Sequence, residues 1–248
     1  MIQTEAIVLH GFDYRETSRI VRLATREAGV VSVIARGAKR PRSRFGLGLD
    51  LFTSGVAHLT INAGRDLHTL TGFDATRSRP ELAASLERFA ASAALGELCL
   101  RFASEDEGGA IHDALAAGLD AIGVAGDSAV GGQALSAAWR LVGELGFAPA
   151  LDRCAVCHRA LAADEVVRFG HRSGGVLCRA CAALVPGART LPAEARLALL
   201  SWSRDEEAPA LDPPTLRAHL RLLREFVEEH LGDGRALRAW ASWEASHR

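Results

Sequence analysis

Four of the five cysteines in this chain, Cys154, Cys157, Cys178 and Cys181, fall in two CxxC pairs with twenty residues between them. Few sequence features restrict a fold more. A CxxC pair must bend its backbone to bring two thiolates to one point, and two such pairs complete a tetrahedral S4 shell that suits Zn²⁺. Cysteine fills all four positions, so none is open to water, and the spacing predicts one structural zinc ion rather than a catalytic one. Val166, Val167 and Phe169 read as a short strand, and Ser173-Gly174-Gly175 as a tight turn before Val176-Leu177-Cys178. Each CxxC is then expected on a turn, with a small hairpin between them. A redox dithiol needs only one CxxC pair, usually in a βαβ context, and secreted disulfides fit less well. His158 and His171 are expected beside the site or at the surface rather than as ligands. Cys99, alone in a helical apolar run, reads as a buried small hydrophobe.

A chain of 248 residues has room for one large domain or two to three small ones, and at 48% hydrophobic it can bury a core. No basic-then-apolar leader opens it, and no apolar run reaches the ~18 residues of a membrane span. With a thiolate metal site, these features point to the cytoplasm. Net charge is −1, but it is unevenly spread: residues 1–80 carry twelve Lys/Arg against seven Asp/Glu, the remainder seventeen against twenty-three. A basic N-terminal part points to a polyanionic partner.

Residues 1–75 read as short strands: Thr4–Leu9, Arg19–Ala24, Val30–Ala35, Val56–Ile61 and Asp66–Phe73. Ala57, Leu59 and Ile61 alternate with His58 and Thr60, the period of a half-buried strand, and Asn62-Ala63-Gly64 is a hairpin signal. Five strands in this length fit a small closed barrel such as an OB-fold; strand number alone also allows an SH3-like barrel. From about residue 78 the period becomes helical. Ser78-x-x-Glu81, with Pro80, reads as a capping box, followed by Leu82, Leu86, Phe89, Ala93 and Leu100 at helical spacing. Ile111, Leu115, Leu119 and Ile122 mark a second helix, and Leu135, Ala138, Val142 and Leu145 a third, stopped by Gly146 and Pro149. Gly108-Gly109 and the stretch 126–132 read as loops. After the cysteine module, helix resumes at about 192–203 and again from Asp212 to Gly232, with Leu216, Leu220, Leu223 and Val227 inward. The expected architecture is α+β and multidomain: a barrel over 1–77, an α-helical domain over 78–149 and 187–248, and a zinc module inserted at 150–186.

Enzymatic chemistry finds little support. There is no Gly-Lys dipeptide for a P-loop, Gly46-Leu47-Gly48 lacks the third glycine of a dinucleotide fingerprint, and neither HxE nor HExxH occurs. Asp106-Glu107 and Glu206-Glu207 read as solvated turns. What remains is the stretch Ala35–Phe45, in which Arg36, Lys39, Arg40, Arg42 and Arg44 place five positive charges in nine residues with no acid among them. It follows a predicted strand, so it is a loop mounted on the barrel. Guanidinium groups at that density contact phosphates, and Phe45 is read either as a base-stacking platform or as core. The competing reading is a solvated loop, or one paired with acidic helices of the same chain.

Two groups of motifs resemble a known family. One is Thr4-Glu5-Ala6-Ile7-Val8-Leu9, then Asp13-Tyr14-Arg15-Glu16, then Ala35-Arg36-Gly37-Ala38-Lys39-Arg40. The other is Leu145-Gly146-Phe147-Ala148-Pro149 leading into Cys154-x-x-Cys157, then Ser173-Gly174-Gly175 before Cys178-x-x-Cys181. In that order and separation they are similar to the RecO family of bacterial DNA repair proteins, the recombination mediators of the RecFOR pathway. In Leu49-Asp50-Leu51-Phe52, Leu51 stands where the family usually has proline.

The resemblance implies an N-terminal OB-fold, a helical domain with an inserted zinc module, and a non-enzymatic protein of the cytoplasm, associated with the nucleoid. It implies binding of single- and double-stranded DNA and annealing of complementary strands. With the partner RecR, such proteins help load RecA onto DNA coated by single-strand-binding protein, whose acidic C-terminal tail they recognise. Arg217, Arg221 and Arg224, flanking the inward leucines of one helix, are the candidate tail contacts; an amphipathic helix with a solvated basic face is the plainer reading. A zinc-ribbon transcription or RNA-associated factor and a zinc-dependent nucleic-acid enzyme are the competing classes.

Overall fold

The computed structural model describes residues 1–248 except 46–47, 63, 104–107, 163–164, 205, 207–210, 233 and 248. The sequence readings at Gly46-Leu47, Ala63, Asp106-Glu107 and Glu207 lie outside the described residues. The chain divides into two compact units, Met1–Val124 and Ala125–Arg248.

In the first unit, strands β1 (Ile2–Tyr14), β2 (Ser18–Thr25), β3 (Gly29–Ala35), β4 (Ser54–Thr60) and β5 (Leu67–Arg77) close into a barrel in the order β1-β2-β3-β5-β4. All pairs are antiparallel except β3 with β5, and β1 closes the barrel on β4. This is the OB-like barrel expected from five alternating strands. Its core is mainly aliphatic, with Val21, Leu23, Val33, Leu59 and Leu70 fully enclosed and Phe45 and Phe73 packed among them. The strands run longer than the apolar alternation because their polar ends, such as Asp13 and Asp74–Arg77, still pair through the backbone, with cross-strand side-chain contacts such as His58 to Asp74 at 2.8 Å.

Two helices complete this unit, α1 (Leu86–Phe102) and α2 (Gly108–Val124). The expected capping box at Ser78 is not used: Pro80–Ala83 form only a single 3-10 turn, capped by no side chain. Arg79 explains why. Its buried guanidinium is drawn to Asp120 of α2 at 2.6 Å, to the Phe52 carbonyl at 2.8 Å and to Ser54 Oγ at 2.7 Å. The helix starts later, where Ser85 Oγ accepts the Arg88 N–H at 3.2 Å. Leu86 and Phe89, placed by spacing on the inward stripe, are 73% and 44% exposed; the buried face is instead Ala90, Ala91, Ala94, Leu95 and Leu98. Gly108 also differs from expectation: it opens α2, and a Cβ there would lie within 2.7 Å of the Thr25 and Arg26 carbonyls. Here glycine permits close approach to the barrel.

The second unit holds α3 (Val130–Val142), strands β6 (Val167–Gly170), β7 (Gly175–Leu177) and β8 (Arg189–Leu191), and helices α4 (Arg179–Ala182), α5 (Ala193–Ser203), α6 (Pro213–His230) and α7 (Arg238–Ala245). The third helix ends in a π-turn over Gly143–Phe147, where Gly146 takes a φ of 87°. Gly131 and Gly132, read as loop, lie inside α3, and a Cβ on Gly131 would meet Leu216 of α6 at 2.7 Å. Asp212 caps α6 through the Thr215 N–H at 2.8 Å, and Leu216, Leu220, Leu223 and Val227 are buried. The helix α7, which sequence reading leaves unassigned, buries Trp240 and Trp243, ring to ring at 5.0 Å. The change from strand to helix at residue 78 therefore does not coincide with the packing boundary, because α1 and α2 belong with the barrel.

Candidate metal centre and nucleic-acid interface

Cys154 and Cys157 sit on a turn whose ends pair at Arg153 and Ala160; Cys178 caps α4, whose first turn carries Cys181. Between them β6 and β7 pair antiparallel, as the hairpin reading expected, and β8 adds an unforeseen third strand. Gly175 carries a φ of 153°, and a Cβ there would stand 2.2 Å from the Ala150 carbonyl oxygen, so no other residue fits. The turns bring all four sulfurs within 4.8 Å of one another, and Cys157 and Cys178 Sγ are 3.9 Å apart. A tetrahedron with metal–sulfur bonds of about 2.3 Å has an edge of about 3.8 Å. The four cysteines could therefore hold a metal ion with little rearrangement.

The surroundings favour the thiolate at Cys154 and Cys178. Burial opposes ionisation of Cys154, but the N–H groups of Cys157, Cys178 and Val156 directed at its sulfur bring the thiol down to about 6. The Cys181 N–H lowers the Cys178 thiol. Cys181 is pushed up to about 12, first by the adjacent Cys178 sulfur and then by burial. Thiolates this close repel one another, and a bound cation is what allows all four to ionise together. His158 is exposed at a φ of 59° and His171 lies 3.5 Å from Glu225; neither ring belongs to the cluster. Cys99 is fully enclosed in α1, where burial raises its thiol to about 12, leaving it inert.

The basic stretch leaves β3 at Ala35 as a run of hydrogen-bonded turns. Gly37 adopts a φ of 78°, the Lys39 N–H donates to the Thr17 carbonyl at 3.0 Å, and the Ser43 N–H to the Arg40 carbonyl at 2.9 Å. Phe45 anchors the far end in the barrel core, 3% exposed. It cannot stack on a base. Arg36, Lys39, Arg40, Arg42 and Arg44 are all exposed. Lys39 Nζ meets Asp13 at 2.7 Å, and this contact lowers the Asp13 carboxyl. The guanidinium of Arg44 lies over the Phe45 ring at 5.1 Å. Among the described residues, Arg36, Arg40 and Arg42 carry no ion pair, and the loop forms none with a helix.

On α6 the three arginines part ways. Arg217 donates to the His247 carbonyl at 3.0 Å, and Arg224 is held by Glu244 and Glu228, each at 3.0 Å. Arg221 is exposed and borders a groove of about 310 Å³ lined by Phe169, Leu191, Ala218 and Leu222. Sequence reading overlooked Arg196, 1% exposed on α5, which donates to the carbonyls of Leu151 at 3.0 Å, Ala162 at 2.6 Å and Leu161 at 3.1 Å. It ties both flanks of the first CxxC turn to the helical layer. An arginine one turn into an Ala/Leu-rich helix was the available signal.

Residues 1–79 match the family described as "Recombination protein O N terminal", and residues 83–239 match "Recombination protein O C terminal". A protein of Anaeromyxobacter sp. (strain Fw109-5) named DNA repair protein RecO is 34% identical, covering 93% of this chain and 91% of its own. One of the same name from Nocardioides sp. (strain ATCC BAA-499 / JS614) is 33% identical over 94% of this chain and 96% of its own, and one from Myxococcus xanthus (strain DK1622) 31% over 92% and 91%. With both halves matched and the cysteine cluster on an OB-like, helix-rich framework, the chain belongs to the RecO family of DNA repair proteins.

Proposed function

We propose that this protein is a non-enzymatic recombination mediator. It binds single- and double-stranded DNA, anneals complementary strands and, with RecR, helps load RecA onto DNA coated with single-strand-binding protein. The observation that carries this reading is the ordered loop at residues 36–44, which holds its cations outward on an OB-like barrel. A polyanion can be gripped there without a sequence-reading element entering a groove. Two DNA strands repel each other, and a surface that screens both backbones brings them close enough to pair.

The metal is one Zn²⁺, held by Cys154, Cys157, Cys178 and Cys181. It shapes the module around residues 150–186 and takes no part in chemistry, since four thiolates leave no open position. The acidic tail of single-strand-binding protein docks at α6, with Arg221 meeting its terminal carboxylate beside the apolar groove; the pairs held by Arg217 and Arg224 make Arg221 the central contact. No described helix is long and apolar enough to cross a membrane, in keeping with a cytoplasmic, nucleoid-associated place of work.

The test is the rate at which complementary DNA strands coated with single-strand-binding protein become duplex. Acceleration at substoichiometric protein supports the reading. An unchanged rate, with preference for RNA, supports a zinc-ribbon RNA-associated factor instead.

A further inference from the structure

Leu86 and Phe89 are apolar residues that the core does not use. Phe89 lies in a groove of about 1050 Å³ that runs from the exit of the basic loop, past the end of β5, to the first turn of α1. Leu51, 39% exposed, borders the same groove, as do Arg44 and Arg77. Arg44 thus belongs both to the basic loop and to the groove. An exposed aromatic ring beside guanidinium groups and open space is what successive unpaired bases need: every base offers a π-face, and the backbone follows the positive charge. Arg77 is held at 3.1 Å by Asp120, and Asp50 and Asp74 also border the groove. Phosphates are therefore assigned to Arg44 and to the exposed Arg40 and Arg42, while the apolar, mixed-charge interior takes bases.

We propose that this groove holds a segment of single-stranded DNA, with a base stacked on Phe89, so that single strands engage both loop and groove while duplex engages the loop alone. Duplex is excluded because its bases are already stacked and show only their edges. The proposal rests on the loop being the phosphate site, and it adds the part of the surface that tells unpaired from paired DNA.

The experiment compares wild type, Phe89→Ala, Phe89→Trp and Arg40→Glu/Arg42→Glu on an oligothymidine strand and on a duplex of equal length, each across a salt series. Phe89→Ala is expected to weaken single-strand binding about 5- to 150-fold, with an unchanged salt slope because no phosphate contact is lost. Duplex affinity should stay within about twofold, and Phe89→Trp, which keeps an aromatic face, should retain single-strand binding. With the ring partly exposed, the alanine variant should fold, and circular dichroism checks this. Equal losses on both DNAs, or no loss on either, overturn the groove proposal. If Arg40→Glu/Arg42→Glu leaves binding intact, the loop reading fails; if only Phe89→Ala is silent, the loop reading stands and this groove takes something other than bases, such as an apolar segment of a protein partner.

Discussion

Arg196 reaches three carbonyls from a buried position, so no neutral side chain can replace it without stranding buried acceptors. Arg196→Ala is expected to destabilise the second unit by roughly 3 kcal/mol or more, read as a lower urea midpoint, while DNA binding by the folded protein is unchanged. A shift of under about 1 kcal/mol would mean that water replaces the guanidinium. His219 makes a different case. It is 2% exposed, its ring edge meets Trp202 at 4.9 Å, and neither ring nitrogen has a partner among the described residues. Burial holds its pKa at about 4, against an ordinary 6.5. Above pH 6.5 the folded and unfolded states are both neutral at this residue; between 6.5 and 4 the unfolded chain takes up a proton that the folded one refuses. Stability should therefore fall by about 3 kcal/mol as pH drops through that window, then level off. The fall should be missing from the difference between wild type and His219→Leu if another group is responsible; parallel curves for the two proteins would contradict the assignment to His219.

At the scale of elements, what could be read in advance was whatever has a strict period or spacing. Alternation located the five barrel strands because one face of each is enclosed, and the CxxC spacing anticipated the convergence of four sulfurs. Helix starts were less legible. Ser78 satisfies a capping pattern, but Arg79 is drawn into the barrel by Asp120, and Ser85 becomes the cap. Ser85→Ala should accordingly cost about 1 kcal/mol while Ser78→Ala costs little, as measured by thermal unfolding; the reverse order would restore the capping box. The exposure of Phe89 was hidden for a related reason: a helical stripe predicts an apolar face, and only packing shows that Ala90, Ala91, Ala94, Leu95 and Leu98 supply it. The strand β8 and the helix α7 went unseen because one is only three residues long and the other is defined by two tryptophans rather than a period. Gly175 could be read as a turn residue but not as a steric necessity. Gly175→Ala should push a Cβ into the Ala150 carbonyl, 2.2 Å away, and lower both metal content and stability. Full metal occupancy in a folded Gly175→Ala protein would show that the hairpin can shift.

Across the whole molecule, composition marks where strand yields to helix, but packing divides the chain after Val124. Metal removal should respect the packing division. Chelation, or Cys154→Ser, is expected to expose the 150–186 region to protease while the Met1–Val124 unit stays protected, and purified wild type should carry one zinc per chain; well under one, in reducing buffer without chelator, contradicts a structural zinc. The central claim is that the outward cations of the barrel loop are the DNA site. It is tested most directly by binding to single-stranded DNA against salt. If three to five of the cations reach phosphates, log K against log[salt] should fall with a slope of roughly −2 to −3.5, at about −0.7 per contact. Arg40→Glu with Arg42→Glu should shallow it by about 1.4 and weaken binding to every sequence alike. A folded double variant that keeps wild-type affinity and slope would contradict the claim and place the DNA elsewhere on the protein.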